Sequence, residues 1–151
     1  MGSKSKQTRL AYDVLIRAKK EAQNLGNHIV STEHLLLAFT RGASQSSKDV
    51  FHAMGVQPSK VREVIEFIVS QKPIHSRKLE LSTLAKKVLD LALDEARRDG
   101  RGKFDDLDIL LGCAREHEGI ASAVLESLGL KLERIRQVAA SVRKVVVQVG
   151  T

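Results

Sequence analysis

The sequence has little of what secreted and membrane proteins usually carry. Its 151 residues include one cysteine, two prolines and no tryptophan. Cys113 has no partner for a disulfide within the chain, which is typical of a reducing compartment. No apolar run approaches the roughly 20 residues of a membrane span, and the polar start MGSKSKQT lacks the apolar core of a signal peptide. We therefore expect a cytoplasmic protein, or one of an organelle stroma, with no membrane partner.

Motifs for nucleotide and metal chemistry are also missing. The segment Gly100-Arg101-Gly102-Lys103 comes nearest to a phosphate-binding loop, but Arg97 stands where that motif needs its first glycine. Phe104 stands where it needs a hydroxyl residue. The five histidines are scattered without the spacing of a zinc site. We predict no cofactor, no metal and no catalytic residue, and therefore no enzymatic activity for this chain.

The charge balance is basic, with a formal net charge of +7. A basic chain favours an acidic partner, either a nucleic acid or an acidic protein face. Aromatic residues make up only 3% of the chain, which disfavours a single-strand binder that stacks bases. A basic helical nucleic-acid-binding module stays open as the less favoured alternative, because cations concentrate in the second half at Lys86, Lys87, Arg97, Arg98, Arg101, Lys103, Arg134 and Arg136.

An internal repeat is the strongest signal that is present. Residues 10–64 align with residues 84–138 at a constant offset of 74 residues, without a gap. The matches are mostly apolar residues at helical spacing, or glycines where helices should end. The pattern indicates one packing plan used twice: repeat one at 8–70, a linker at 71–81 and repeat two at 82–143. Residues 1–7 are interpreted as a disordered or tag-derived leader, and 144–151 as a tail or the start of a linker.

Each repeat is predicted to form four helices. In repeat one, Thr8 caps the first helix, Ser31 or Thr32 caps a second from 33 to 41, a third runs from 48 to 54, and Pro58 opens the fourth. In repeat two, Ser82 caps the first helix, Asp105 or Asp106 caps the second, and the others run at 120–128 and 132–143. The fold class is therefore all-α, with eight helices, no sheet and two four-helix repeats related by a pseudo-two-fold axis. The β-branched tail after Arg143 is a poor helix former, and a frayed end, a short strand and a linker all stay open for it.

The alignment between the repeats also helps to interpret single residues. Cys113 aligns with Phe39 on an inward face, so we interpret it as a core residue rather than a nucleophile. His34 aligns with Asp108, which favours a capping or surface role over catalysis. Arg41 aligns with Arg115 near the ends of the second helices, where a cation complements the free carbonyls. A binding role for the two arginines is the alternative.

Three segments carry a resemblance to a known family. Ser31-Thr32-Glu33-His34-Leu35-Leu36-Leu37-Ala38 resembles the Gly-Thr-Glu-His-Ile-Leu-Leu-Gly signature of the Clp N-terminal domain. Residues 85–89 and 94–100 resemble the first helix of that family's second repeat, and residues 118–129 resemble its third-helix motif. The resemblance extends from about 8 to 142 and is nearest to the ClpC type. It implies a non-catalytic double repeat that docks adaptor proteins and protein substrates, including arginine-phosphorylated ones, for an AAA+ Clp ATPase ring in cis or in trans.

Recognition of phosphorylated arginine requires a carboxylate for the guanidinium and hydroxyls or helix N-terminal N–H groups for the phosphate. With the resemblance, this gives the candidate binding residues Thr8, Thr32 and Glu33 in repeat one, and Ser82, Asp106 and Asp108 in repeat two. Leu107 stands at the position of Glu33 in repeat two, and Leu10 and Leu84 stand where the family pattern has arginine. We therefore expect the charged-ligand site in repeat one.

Overall fold

The computed structural model describes residues 6–42, 44–69 and 79–150, with side chains as far as 144. Within these residues the chain forms eight helices, as the repeat predicts. Repeat one contributes α1 (Arg9–Asn24), α2 (Thr32–Thr40), α3 (Gln45–Met54) and α4 (Pro58–Ile68). Repeat two contributes α5 (Thr83–Arg98), α6 (Asp106–Arg115), α7 (Ile120–Ser127) and α8 (Leu132–Gly150).

The helix ends follow local signals in the sequence. Thr8, Ser31, Ser82 and Asp105 are the N-caps of α1, α2, α5 and α6. The aligned glycines at 26, 55, 100 and 129 follow helices with φ between 69° and 77°, a backbone conformation that glycine adopts without steric cost. The third helix begins at Gln45 rather than at 48, because Ser44 caps it by accepting a hydrogen bond from the Ser47 N–H at 3.1 Å.

The prediction of no sheet is wrong. Two short strands, β1 (Ile29–Val30) and β2 (Glu80–Leu81), pair in parallel, and the N–H of Ser82 donates to the Val30 carbonyl at 2.8 Å. Two-residue strands carry no periodic signal, so the sequence pattern could not indicate them. They satisfy backbone groups just before the helix starts, which would otherwise lack partners.

The segment before α1 forms a backbone contact with repeat two that is the counterpart of the β1–β2 pairing. Gln7 forms an isolated parallel bridge with Phe104, and the Thr8 N–H donates to the Phe104 carbonyl at 2.9 Å. Lys6 and Gln7 are therefore part of the folded domain rather than of a leader. Residues 1–5 of the predicted leader and 71–78 of the predicted linker lie outside the described residues.

The last helix is longer than the sequence indicates. α8 continues to Gly150, so the segment after Arg143 is helical in spite of its β-branched residues. Intrinsic propensity is a weak signal that the structural context overrides.

The core lies around α2 and α6. Every residue of α2 from Thr32 to Phe39 is buried, and the Phe39 ring packs on Phe51 with centroids 5.5 Å apart. Four apolar residues of the helices stay exposed: Tyr12 is 49% exposed and Phe67 is 91% exposed, and Leu10 and Ile68 are exposed as well. An apolar period locates the inward face of a helix, but it does not tell how far the neighbouring helices cover that face.

The two repeats contact each other in reciprocal pairs of helices. α2 lies against α7 and α3 lies against α6, while α4 lies against α7 and α3 lies against α8. Each repeat therefore completes the core of the other repeat. A four-helix unit of roughly 60 residues buries a core poorly on its own. The pseudo-two-fold axis stays a prediction that these reciprocal contacts favour.

Candidate functional site

The start of α2 is fixed by a capping box that uses histidine. His34 Nδ1 accepts a hydrogen bond from the Ser31 N–H at 2.8 Å, and His34 Nε2 lies 2.8 Å from Asn27 Oδ1, to which it donates. The imidazole is 1% exposed, and this burial lowers the pKa of His34 to about 4. The capping role predicted for His34 is confirmed, and the ring is neutral at physiological pH.

Glu33 is the charged residue at this helix start. It lies in the first turn of α2 and is 7% exposed. Burial raises the pKa of Glu33, while hydrogen bonds from its own backbone and from the Ser31 side chain act in the opposite direction. Among the described residues no cation forms an ion pair with it.

 Glu33 is therefore a buried carboxylate whose countercharge is missing from the described part of the chain.

The hydroxyls next to Glu33 come from both repeats. Ser82 Oγ donates to Ser31 Oγ at 3.2 Å, and it caps α5 by accepting a hydrogen bond from the Ala85 N–H at 3.0 Å. The pairing of β1 with β2 brings the two serines together, because Ser31 follows one strand and Ser82 follows the other. We call Ser31, Glu33 and Ser82 the α2–α5 site.

This grouping corrects the sequence-based one, which combined Glu33 with Thr8 and Thr32. Thr8 caps α1 by accepting a hydrogen bond from the Ala11 N–H at 3.3 Å, and its backbone joins Phe104, next to the start of α6. Thr32 is fully buried, and its hydroxyl accepts a hydrogen bond from the Ala121 N–H at 3.2 Å. These contacts do not bring either threonine into the α2–α5 site. Thr32 also has no exposed atom that a ligand could contact.

The two aspartates predicted in repeat two are engaged inside the protein. Asp106 is 3% exposed and accepts a hydrogen bond from the Ser44 hydroxyl at 2.6 Å, and burial raises its pKa. Asp108 is fully buried and accepts hydrogen bonds from Arg101 at 2.7 Å and Arg143 at 3.1 Å. Leu107, at the position equivalent to Glu33, is buried and apolar. Repeat two therefore offers no second carboxylate like Glu33.

The aligned arginines form ion pairs that sequence reasoning missed. Arg41 forms an ion pair with the buried Glu21, and Arg115 forms one with the buried Glu95 at 3.0 Å. Glu21 and Glu95 are themselves aligned in the repeat, so a repeated acid with a repeated base was the signal that could have indicated these pairs. The pairs attach the end of each second helix to the first helix of the same repeat.

Cys113 lies in the core, as predicted. It is 1% exposed, and burial, with a smaller contribution from Glu116, raises the pKa of its thiol far above the usual range. Thiolate is the reactive form of cysteine, so this side chain is inert in the folded protein. The part of the chain that the structure describes contains no cluster of three or more potential metal ligands, and none of its helices combines the length and apolarity of a membrane span.

The fold defines a class of protein: a mostly helical domain with eight helices and one pair of two-residue strands among the described residues. The family model of the Clp repeat (R) N-terminal domain matches residues 6–126 and 80–150. The chain belongs to this Clp N-terminal domain family. The Clp N-domain is a non-catalytic part of the Clp ATPases.

Relatives and solved structures agree with this assignment. The chain is 35% identical over 130 residues to the negative regulator of genetic competence ClpC/MecB of Bacillus subtilis, covering 86% of the chain and 16% of that protein. It is equally identical to the chloroplastic chaperone protein ClpC1 of Oryza sativa subsp. japonica, covering 85% of the chain and 14% of the relative. The chain thus spans a small part of the length of these relatives.

Two solved N-terminal domains share the fold. That of the chaperone ClpD from Arabidopsis thaliana superposes with a TM-score of 0.73 at 26% identity, over 92% of this chain and 95% of that one. The Hsp104 N-terminal domain of Candida albicans has a TM-score of 0.75 at 17% identity, over 92% of each chain, and shows the likeness of fold alone.

Proposed function

We propose that this domain docks partner proteins for an AAA+ Clp ATPase ring, in cis or in trans, by accepting a cationic side chain of the partner at Glu33. The observation that carries the proposal is the missing countercharge of Glu33, a carboxylate that is 7% exposed and forms no ion pair among the described residues. A buried charge without a countercharge is unfavourable, and a guanidinium that reaches it supplies both the countercharge and further hydrogen bonds.

The surroundings of Glu33 favour a ligand that also carries a negative group. The Ser31 and Ser82 hydroxyls lie 3.2 Å apart, beside the N-terminus of the 16-residue helix α5. The first turn of α5 contains no acidic residue, so its N-terminal N–H groups and the serine hydroxyls favour an anion. A phosphorylated arginine presents a guanidinium and a phosphate together, and it is the substrate feature we propose. Adaptor proteins are the other partners, through arginine side chains on their surfaces.

Because the pKa of Glu33 is raised, the affinity for a cationic ligand should depend on pH. A bound cation stabilises the ionised carboxylate, so binding must first displace any proton that Glu33 holds. Affinity is therefore expected to decrease as the pH falls through the raised pKa. Since Leu107 replaces the equivalent carboxylate in repeat two, we expect one such ligand for each domain.

A peptide titration tests the proposal. Three peptides of one sequence, carrying phosphoarginine, arginine or phosphoserine at the central position, are titrated into the domain by calorimetry. We expect the phosphoarginine peptide to bind most tightly, with one site, and Glu33→Gln to weaken it at least tenfold, since the loss of a charge-assisted pair corresponds to about 1.4 kcal/mol or more. Glu63→Gln, which removes an exposed carboxylate on α4, is the matched control.

Two results would overturn the proposal. One is binding of the phosphoarginine peptide that Glu33→Gln and Glu63→Gln change equally. The other is failure of the intact domain to retain any of the three peptides, a Clp ATPase ring or its adaptor proteins.

A further inference from the structure

The outer face of α1 carries apolar side chains that the fold does not bury. Tyr12 is 49% exposed and Ile16 is 38% exposed. They are four residues apart in one helix, so their side chains are neighbours on the same face. Together they form an apolar ridge on a helix whose other side packs into the core through Ala11, Val14 and Ala18.

The repeat shows that packing does not require this ridge. α5 is aligned with α1, has the same length of 16 residues and buries the equivalent alanines, valine and glutamate. At the positions of Tyr12 and Ile16, α5 has Lys86 and Asp90, both exposed. The same helix packing is therefore made with charged residues at these two positions, and the apolar pair on α1 needs another explanation.

The charges around the ridge are positive. Both acidic residues of α1 are already paired: Asp13 lies 3.8 Å from Arg9, and Glu21 forms an ion pair with Arg41. Lys19 and Lys20 are exposed, and neither forms an ion pair among the described residues. Arg17 donates a hydrogen bond to the Arg41 carbonyl at 3.2 Å, which leaves its positive charge uncompensated.

A cavity places the apolar and positive groups together. It has a volume of about 530 Å³ and is lined by Ile16, Arg17, Lys20 and Arg41, together with the carboxylates of Asp13 and Glu21. These two carboxylates are the ones paired with Arg9 and Arg41, so Arg17 and Lys20 are the cations of the cavity that have no acidic partner among the described residues. An apolar side chain of a partner could insert beside Ile16. Carboxylates next to it on the partner would then lie within reach of Arg17 and Lys20. An apolar anchor with a charged rim is the usual composition of a protein-docking surface.

We propose that the outer face of α1, formed by Tyr12, Ile16, Arg17 and Lys20, docks an acidic amphipathic helix of a partner protein. Charge complementarity selects this occupant, because carboxylates on the partner would compensate the lysines and Arg17 while its apolar face covers Tyr12 and Ile16. A second copy of this chain would instead bring like charges together. This surface goes beyond the proposed function, since it does not use Glu33.

The test uses two synthetic amphipathic helical peptides with the same leucine positions, one with glutamate and one with lysine on the polar face. Each is titrated into the isotopically labelled domain while backbone amide shifts are followed. We expect the leucine/glutamate peptide to shift amides of α1 and of Arg41, with an affinity that falls as salt rises. The leucine/lysine peptide should cause no such shifts.

The chain itself supplies the decisive variant. Tyr12→Lys with Ile16→Asp copies the residues of α5, leaves the net charge unchanged and is expected to keep the fold, which the urea midpoint checks. We expect it to weaken the leucine/glutamate peptide at least tenfold. Arg17→Gln with Lys20→Gln should also weaken binding, whereas Lys86→Gln with Lys87→Gln on α5, which removes the same charge, should have a smaller effect.

The outcomes separate this surface from the α2–α5 site. Glu33→Gln should leave the leucine/glutamate peptide unaffected, so the failure of one proposal does not carry over to the other. The α1 proposal is overturned if the shifts map elsewhere, if the Tyr12/Ile16 double variant binds the peptide as before, or if sedimentation shows that the domain covers α1 by dimerising.

Discussion

The Thr32 hydroxyl, in the first turn of α2, accepts a hydrogen bond from the Ala121 N–H in the first turn of α7, at 3.2 Å and across 89 residues of sequence. The residue aligned with Thr32 is Asp106, which accepts a hydrogen bond from Ser44, the N-cap of α3. Each repeat thus uses its second helix to hold the start of the third helix of the other repeat. Gly119 makes room for the first of these contacts, since a Cβ there would lie 2.3 Å from Thr32 Oγ1.

Removing the Thr32 hydroxyl should destabilise the domain. Thr32→Val keeps the shape of the side chain but leaves the buried Ala121 N–H without a partner, so we expect the free energy of unfolding to fall by about 1–2 kcal/mol. Urea denaturation measures the change. Thr40→Val is the control, because the Thr40 hydroxyl bonds only to the Leu37 carbonyl in its own helix. Equal effects of the two substitutions would mean that the contact between repeats is not stabilising.

The buried His34 should make stability depend on pH. Its pKa is about 4 in the folded protein and about 6.5 in the unfolded chain. The unfolded state therefore binds more protons between these values, and the stability that neutral His34 contributes is lost as the pH falls from about 6.5 towards 4. Gln can still accept the Ser31 N–H bond, so we expect the wild type to lose about 2 kcal/mol relative to His34→Gln over this range.

Urea titrations of both proteins at pH 7 and pH 4.5 measure this difference. His52→Gln removes an exposed imidazole and controls for the general loss of a histidine. A difference between wild type and His34→Gln that is constant across the two pH values would show that His34 titrates alike in the folded and unfolded chains.

The close approach of α5 and α6 should make Gly112 intolerant of a side chain. A Cβ on Gly112 would lie 2.4 Å from the Val88 carbonyl oxygen and 3.1 Å from Val88 Cγ1. Because the backbone oxygen cannot move aside without shifting α5, we expect Gly112→Ala to lower the free energy of unfolding by about 2–3 kcal/mol.

The aligned position in repeat one provides the comparison for Gly112. It is Ala38, which is fully buried in α2. Ala38→Gly is expected to lower stability by about 1 kcal/mol through the propensity of glycine. Thermal unfolding of the two variants shows which substitution destabilises the domain more. If Gly112→Ala left the stability unchanged, α5 and α6 would separate easily.

The sequence predicts most of the fold because the repeat doubles each signal. An apolar face or a helix-ending glycine that recurs at an offset of 74 residues is hardly accidental, so eight helices and their caps could be derived from it. Contacts between the repeats carry no comparable signal. The strand pair before Ser31 and Ser82, and the bond from Ala121 to Thr32, join residues far apart in the sequence, and neither spacing nor composition identifies them.

Sequence reasoning named two of the three residues that form the α2–α5 site, but not as a group. Glu33 and Ser82 were both named, yet sequence reasoning placed them in separate sites because they belong to different repeats. The parallel pairing of β1 with β2 brings them together. Thr32 and Asp108 were named for their polar groups, which the structure engages internally. Polarity in a sequence indicates that a group needs a partner, but it does not tell whether that partner is a ligand or the protein itself.

Two aligned pairs of residues support the second helix of each repeat by different chemistry. In repeat one, His34 bonds to Asn27 at 2.8 Å, and in repeat two Asp108 bonds to Arg101 at 2.7 Å. Asn27 aligns with Arg101 and His34 aligns with Asp108, so a neutral pair and an ion pair occupy equivalent places. In both pairs the residue on the second helix, His34 or Asp108, also accepts a hydrogen bond from the backbone N–H of the N-cap residue.

This equivalence predicts that the neutral pair can replace the ion pair only as a unit. Asp108→His alone puts an imidazole against Arg101 and Arg143, and we expect it to lower the free energy of unfolding by about 3 kcal/mol, as for a broken buried pair. Arg101→Asn alone should have a smaller effect, because Asp108 keeps Arg143 at 3.1 Å. The double variant should be more stable than the sum of the two changes by about 1–2 kcal/mol. Urea denaturation of the wild type, the two single variants and the double variant completes the double-mutant cycle. Strictly additive changes in the free energy of unfolding would show that the pairs are not interchangeable.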